Sequence, residues 1–184
     1  ARTSLLASSL AEANRELAQL ALHDTLTRLP NRVLLEDRLD QAISKADREG
    51  THFALMFMDL DGFKTVNDAY GHDVGDKLLI AVTRRLMLPL KGQFTLARIG
   101  GDEFVLLVEV GGPDDAASLA NALVRAIDSP FNVEPYELVV TVSIGIALYP
   151  HDGKTDRELM FNADAAMYHT KHVGRNGYHF FQPS

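Results

Sequence analysis

Apolar residues recur along the chain at two different spacings, and these spacings divide it into short helices and strands. A helical spacing of apolar residues runs through 33–49 and stops at Gly50, which is typical of a helix that ends at a glycine. The next run, 52–61, is mostly apolar and ends in acids, as expected of a buried strand. Further helices are predicted over 73–88, 114–128 and 155–172, and further strands over 94–99, 103–110, 137–150 and 177–181.

The predicted elements alternate in the order α-β-α-β-β-α-β-α-β. Gly100 and Gly101 separate strands 94–99 and 103–110, and a glycine pair in that place is typical of a β-hairpin turn. Helices interleaved with such strands cover the faces of a sheet. We therefore predict an α+β fold with a central, mostly antiparallel sheet flanked by helices, of the ferredoxin-like or polymerase-palm type.

Residues 1–22 follow a third pattern, in which apolar residues are separated by 4, 3, 4 and 3 positions, the a/d spacing of a coiled-coil heptad. These positions are Leu6, Leu10, Ala13, Leu17 and Leu20. One interpretation is an amphipathic helix that packs on its own domain, and the other is a coiled-coil linker that pairs two chains. We favour the linker because the segment opens the chain. We divide the sequence into this helix, 1–22, and one domain, 23–184.

Composition narrows the class of protein without identifying it. The chain has no cysteine, which excludes disulfides and thiolate metal sites. Its net charge of −7 argues against a nucleic-acid partner, which usually needs a basic surface. It contains no apolar run long enough to span a membrane. Because the sequence starts at Ala1 rather than at methionine, we expect it to be a piece of a longer protein.

Acidic side chains stand where two of the predicted strands begin or end. Asp59 and Asp61 close strand 52–61, and Asp102 and Glu103 follow the glycine pair of the hairpin. Because the end of one antiparallel strand can lie beside the turn of a neighbouring hairpin, we predict that Asp59 lies close to Asp102. Each acid taken singly is better explained as a solvated turn residue. The glycine pair favours a site instead, since glycine adopts positive φ and lets a ligand approach the backbone closely.

Two carboxylates brought together in this way suit a hard divalent cation. Mg²⁺ prefers carboxylate oxygens and completes its coordination shell with water and phosphate. We therefore predict a magnesium site at this edge of the sheet, shared with a nucleoside triphosphate.

Five segments of the chain resemble, in order and spacing, the GGDEF-domain family, the diguanylate cyclases. The resemblance covers about 24–181, nearly everything except the N-terminal helix. The segments are "DTLTRLPNR" (24–32), "DLDGFKTVNDAYGHDVGD" (59–76), "GGDEF" (100–104), "SIGIA" (143–147) and "ADAAMYHTKHVGRN" (163–176).

The resemblance implies a reaction and a set of partners. Two GTP molecules condense to cyclic di-GMP and two pyrophosphates, with Mg²⁺ or alternatively Mn²⁺ as the metal. Each subunit binds one GTP, so the working site forms in a homodimer, which the leucine seam of 1–22 would hold together. The domain is expected in the cytoplasm, and its parent chain is expected to have an upstream sensor. Whether the parent also has an inner-membrane anchor or a downstream phosphodiesterase domain stays open. The alternative is a catalytically silent GTP-binding module that controls such a phosphodiesterase domain.

The resemblance also implies roles for single residues. The metal would be held by Asp59, Asp102 and the backbone carbonyl of Leu60, with Glu103 acting as a further ligand or as the general base. Asn67 and Asp76 match the family's guanine-binding positions. The remaining substrate-binding positions would be Lys64, Gly100, Gly101, Lys171 and Arg175.

The chain departs from the family at the site where many members bind their product as an inhibitor. That site is an Arg-x-x-Asp motif shortly before the signature, the "GGDEF" segment (100–104). Lys91 and Phe94 occupy those two positions here. Lysine still offers a positive charge to a phosphate, but phenylalanine lacks the carboxylate that accepts hydrogen bonds from the product's guanine.

We therefore expect cyclic di-GMP to bind weakly or not at all through Lys91 and Phe94. Calorimetric titration of cyclic di-GMP into the protein measures this. Tight binding that is lost when Lys91 is mutated would show that the site works without its carboxylate.

Overall fold

The computed structural model describes residues 2–183, so the terminal residues of the two predicted domain ranges, Ala1 and Ser184, lie outside it. The described chain forms six helices and seven strands. The helices are α1 (Arg2–Leu22), α2 (Arg32–Glu49), α3 (Phe63–Tyr70), α4 (His72–Met87), α5 (Pro113–Asp128) and α6 (Asp156–Val173). The strands are β1 (His52–Asp61), β2 (Phe94–Arg98), β3 (Glu103–Val110), β4 (Phe131–Val133), β5 (Tyr136–Leu138), β6 (Thr141–Tyr149) and β7 (Gly177–Phe180).

Five of the strands form one central sheet in the order β2-β3-β1-β6-β7. The pairs β2–β3, β3–β1 and β1–β6 are antiparallel, and the edge pair β6–β7 is parallel. Helices cover both faces, and the prediction of a mostly antiparallel sheet flanked by helices is therefore confirmed. The strands β4 and β5 form a separate two-stranded sheet.

The central strand β1 is buried on both faces. Met56 and Met58 belong to the core cluster that includes residues of α4 and α5, whereas Leu55 and Phe57 belong to the cluster that includes residues of α2 and α6. A strand covered on both faces needs no polar alternation, which explains why its sequence is a continuous apolar run. Asp59 and Asp61 continue the alternation on the α2 and α6 face.

The helix α6 lies directly against β6, and a glycine makes this close approach feasible. A Cβ atom built on Gly145 would lie 2.0 Å from the backbone nitrogen of Met167 and 2.2 Å from the carbonyl oxygen of Ala163. The Thr170 hydroxyl donates to the carbonyl of Ile144 at 2.9 Å. These contacts fix the position of the last turn of α6, which contains Lys171.

Capping residues define the first turns of α2 and α6, and Gly50 ends α2 as predicted. Asn31 accepts a hydrogen bond from the Leu34 N–H at 3.2 Å, and Thr155 accepts one from the Glu158 N–H at 3.1 Å. Caps of this kind typically stabilise a helix by about 1 kcal/mol. Gly50 ends α2 with φ of 67°, in the left-handed region where glycine is favoured.

The structure differs from the predicted elements in three places, one of which is the short strand β4, which was not predicted. The helix α3 was not predicted, because it has only eight residues and buries two of them, Phe63 and Val66. The predicted strand 137–150 is broken after Leu138: β5 pairs with β4, and β6 starts afresh at Thr141. The apolar run continues through the break, so its pattern gave no sign of the interruption.

The helix α1 leaves its heptad positions exposed. Leu6, Leu10, Leu17 and Leu20 have exposed fractions of 62–71%. Its last turn is fastened to the domain by Asn31, whose side-chain amide donates to the carbonyl of Ala21 at 2.9 Å. None of the helices within residues 2–183 has the length and apolar character that crossing a bilayer requires.

Candidate active site

The pairing of β1 with β3 brings the acids of the two strands together. Asp59 lies opposite Glu103 in the antiparallel register, and the Leu60 N–H donates to the carbonyl of Asp102 at 3.2 Å. The Asp59 and Asp102 carboxyl groups lie close enough to interact directly. The hairpin geometry predicted for these two acids is therefore observed, with Glu103 as their immediate neighbour.

Lys171 from α6 reaches into the same group of acids. Its Nζ lies 3.1 Å from Asp59 Oδ1 and 3.0 Å from Asp61 Oδ1. The Lys171 side chain is mostly buried, with an exposed fraction of 21%. Of the two basic residues predicted near the end of α6, Lys171 is thus the one that contacts the acids.

Asp61 holds this end of α6 in place, a role that the sequence analysis missed. Besides Lys171, its carboxylate accepts hydrogen bonds from the hydroxyls of Thr141 and Ser143 at 2.7 and 2.8 Å and from the Asn176 N–H at 3.1 Å. Burial alone would raise the pKa of Asp61, but these hydrogen bonds outweigh it and hold the pKa below its ordinary value. Asp61 is therefore a charged anchor for Lys171 and for the turn after α6.

The acids of the site carry more negative charge than their surroundings balance. Burial, followed by repulsion from Asp102, raises the pKa of Asp59 to about 6 against the pull of Lys171. Burial and the charges of Asp164 and Asp102 likewise raise the pKa of Glu103, although Arg32 and Lys171 oppose them. A group of carboxylates in this condition would be stabilised by a bound cation.

The donor set at this edge of the sheet fits a magnesium ion. Within residues 2–183, no three Asp, Glu, His or Cys side chains are arranged as a metal-binding group. Mg²⁺ does not need three, because it is commonly held by one or two carboxylates together with water and phosphate oxygens. Asp59 and Asp102 supply two carboxylates beside the backbone of Leu60.

The two signature glycines differ in function, and neither adopts the positive φ that we expected. A Cβ atom on Gly100 would lie 2.5 Å from Glu103 Oε1, so the missing side chain makes room for that carboxylate. A Cβ atom on Gly101 would meet nothing within 4 Å, which leaves its backbone open to a ligand. The close approach of a ligand to these glycines stays a prediction, and the group that lies against Gly100 in the structure is Glu103.

Arg98 links the turn at Gly100 and Gly101 to Asp24. Its Nε and Nη2 donate to the carbonyl of Gly101 at 3.1 and 2.8 Å, and its Nη1 lies 3.0 and 3.1 Å from the two carboxylate oxygens of Asp24. Asp24 in turn accepts from the Thr27 N–H and hydroxyl at 2.8 and 2.7 Å. Asp24 and Arg98 are 74 positions apart, so no local pattern in the sequence connects them.

The predicted guanine-binding residues lie on a second pair of elements, α3 and α4. Asn67 is in the last turn of α3 and is half-buried, whereas Asp76 in the first turns of α4 is exposed. Gly75 lies between these two residues: it directly precedes Asp76 in α4, and it contacts the Asn67 amide. Lys64 is exposed on α3, and Phe63 is buried beneath it in the core.

Arg175 lies beyond the end of α6 rather than in its last turn. Its backbone has a φ of 59°, and its N–H donates to the carbonyl of Thr170 at 2.9 Å. The N–H of the neighbouring Asn176 donates a hydrogen bond to Asp61, which fixes this part of the backbone beside the acids. The Arg175 side chain is exposed.

Comparison with known proteins identifies the family. The family model described as "Diguanylate cyclase, GGDEF domain" matches residues 21–177. The chain belongs to the GGDEF-domain family, and its fold is the palm-like α+β fold of the solved GGDEF structures.

Three relatives illustrate the likeness. The chain is 62% identical over its whole length to a bifunctional diguanylate cyclase/cyclic di-GMP phosphodiesterase, MucR of Pseudomonas aeruginosa, and spans only 27% of that protein. The isolated GGDEF domain of TpbB from the same organism has a TM-score of 0.85 at 34% identity, covering 87% of this chain and 94% of that one. The coiled coil and GGDEF domain of DgcB from Caulobacter crescentus, solved with cyclic di-GMP, has a TM-score of 0.86 at 28% identity, covering 97% and 95%.

The Asp24–Arg98 pair should stabilise the domain in a pH-dependent way. Burial alone would raise the pKa of Asp24, but hydrogen bonds from Thr27 and Arg98 outweigh it and lower the pKa. A lowered folded-state pKa contributes stability that is present above the unfolded pKa and lost as the pH falls through the folded value. We expect Asp24→Asn to lower the free energy of unfolding by about 1–3 kcal/mol at pH 7, and by less as the pH falls below about 4.

Urea denaturation at a series of pH values measures the effect. The matched control is Asp128→Asn, an exposed acid at the end of α5, which should change the free energy of unfolding little at any pH. A deficit of Asp24→Asn that is equally large at pH 3 and pH 7 would contradict the assignment.

Proposed function

We propose that this domain is a diguanylate cyclase, which condenses two GTP molecules into cyclic di-GMP and two pyrophosphates at the interface of a homodimer. The observation that carries the proposal is the meeting of Asp59, Asp102 and Glu103 at the β1–β3 edge, with Lys171 among them. Two triphosphates that react with each other carry a large negative charge, and catalysis of phosphoryl transfer depends chiefly on positioning the groups and offsetting that charge.

The reaction would balance as two identical displacements. The 3′-oxygen of each GTP attacks the α-phosphorus of the other and forms a new P–O bond, while the bond from that phosphorus to the bridging oxygen of the β-phosphate breaks. Pyrophosphate leaves with the electron pair, and the proton of the 3′-hydroxyl passes to a base. Glu103 is the candidate base, because its raised pKa makes it a better proton acceptor than an exposed glutamate.

The other residues would bind and orient the substrate. Mg²⁺, or Mn²⁺ in its place, would be held by Asp59, Asp102 and the carbonyl of Leu60 and would offset charge on the phosphates. The open backbone at Gly101 leaves space for the triphosphate beside Gly100. Lys171, Lys64 and Arg175 would add positive charge, and Asn67 and Asp76 would bind the guanine base.

The homodimer is supported by the exposed seam of α1. Its heptad leucines contact little of their own domain, and the two-fold pairing of such helices would face two half-sites toward each other. A helix of this length gains little stability alone and more from a partner. The name of the DgcB structure describes a coiled coil attached to a GGDEF domain, in agreement with this arrangement.

The silent module is the second candidate function. It is favoured by a further relative, the cyclic di-GMP phosphodiesterase NbdA of Pseudomonas aeruginosa, to which the chain is 37% identical over 98% of its length and whose name gives no cyclase activity. On this reading GTP binds without turnover and changes the phosphodiesterase rate of a longer parent protein. We propose an upstream sensor domain in that longer parent protein as well. The intact Gly100–Glu103 signature favours the cyclase.

We expect the protein to convert GTP with Mg²⁺ into cyclic di-GMP, and Glu103→Gln to reduce the rate about 100- to 10 000-fold because it loses the candidate base. Chromatography of the nucleotides measures the product. The matched control is Glu109→Gln on the same strand, whose carboxylate pairs with Lys45 at the surface and which should keep the wild-type rate.

A fragment that dimerises weakly should gain activity when a strong parallel coiled coil is fused ahead of Ser4. A fused, dimeric protein that binds GTP but forms no cyclic di-GMP would contradict the cyclase and favour the silent module.

A further inference from the structure

Gly75 is a glycine in a helical position where its backbone does not require one. It lies in α4, its N–H donates to the carbonyl of Gly71 at 3.1 Å, and it is buried. Glycine is among the poorest helix-forming residues, so alanine would be the better choice for local structure. A reason for glycine must therefore come from what lies beside it.

The neighbour is the side-chain amide of Asn67. A Cβ atom built on Gly75 would lie 1.8 Å from Asn67 Oδ1 and 2.9 Å from its Cγ, with Phe63 Cζ at 3.4 Å. These distances are far below van der Waals contact. Any side chain at position 75 would push the Asn67 amide out of its place.

The amide oxygen occupies this place without a hydrogen bond. Asn67 Oδ1 is buried and has no hydrogen-bond partner among residues 2–183. Because an unpaired buried oxygen is unfavourable, packing against Gly75 and Phe63 must hold the amide there. The opposite orientation would bury two N–H donors instead of one acceptor, which is worse. The NH₂ group is therefore the part of the amide that faces outward.

We infer that Gly75 is a positioning residue that seats Asn67 Oδ1 and thereby turns the Asn67 NH₂ group toward the base of the bound nucleotide. The inference rests on the proposed function and deepens it, since it makes Asn67 the donor and the neighbouring Asp76 the acceptor of base recognition. Guanine matches this pair, because its edge has an acceptor, O6, beside two donors, N1–H and the 2-amino group. Adenine has no such edge, since its amino group stands between two acceptors.

A double-mutant cycle in thermal stability tests the seat without any nucleotide. We expect Gly75→Ala to give the wild-type protein less than the gain in melting temperature that alanine normally brings to a helix, because the new methyl group displaces the Asn67 amide. In the Asn67→Ala background, where the collision is removed, the same Gly75→Ala change should raise the melting temperature, as alanine in a helix normally does. An equal change in melting temperature in both backgrounds would contradict the claim that Gly75 holds the Asn67 amide in place.

Nucleotide binding tests the consequence for recognition. The probes are the α,β-methylene analogues of GTP and ATP with Mg²⁺, which the enzyme cannot turn over, measured by calorimetry. We expect Gly75→Ala to weaken the GTP analogue roughly tenfold or more while leaving the ATP analogue unchanged. The change should have no further effect once Asn67 is alanine.

The outcomes separate the two claims. A Gly75→Ala protein that keeps the wild-type preference for the GTP analogue would overturn the positioning role. A wild-type protein with no preference between the analogues would overturn the proposed guanine recognition, while the stability cycle would still decide whether Gly75 seats the amide.

Discussion

The antiparallel pairing of β1 with β3 is the constraint on which the candidate site depends. It sets Asp59 opposite Glu103 and hydrogen-bonds the backbone of Leu60 to that of Asp102. The acids therefore lie together despite the repulsion between their carboxylates. The burial of β1 on both faces specifies the register strongly, because a shift by one residue would exchange its two apolar sets. The core therefore supplies the free energy that holds like charges together.

The second requirement is a counter-charge in the right place. Lys171 provides it, and its position follows from contacts that have nothing to do with charge: Gly145 lets α6 approach β6, and Thr170 is bonded to the carbonyl of Ile144. Asp61 completes the arrangement by binding both Lys171 and the backbone after α6. Lys171 and, at Glu103, Arg32 do not offset all of the negative charge, so the pKa values of Asp59 and Glu103 stay raised. A bound metal–nucleotide complex would relieve this imbalance.

Much of this was predictable from sequence where one local signal was sufficient. The strand β1 was predicted from its apolar run, and the hairpin from its glycine pair. The helix α3 and the break between β5 and β6 were missed, since a two-turn helix and an uninterrupted apolar run give no periodic signal. The roles of Asp24 and Asp61 were missed for another reason. Arg98 stands 74 positions from Asp24, and the partners of Asp61 stand 80 to 115 positions away, so only the folded chain brings them together.

The central claim is that the acids at the β1–β3 edge hold a divalent cation together with a nucleotide. Electron paramagnetic resonance of Mn²⁺, titrated into the protein with the α,β-methylene analogue of GTP, measures that cation directly. The account predicts a protein-bound Mn²⁺ signal that requires the nucleotide and that Asp59→Asn weakens at least about tenfold. An Asp59→Asn protein that folds normally and binds Mn²⁺ as tightly as the wild type would contradict it.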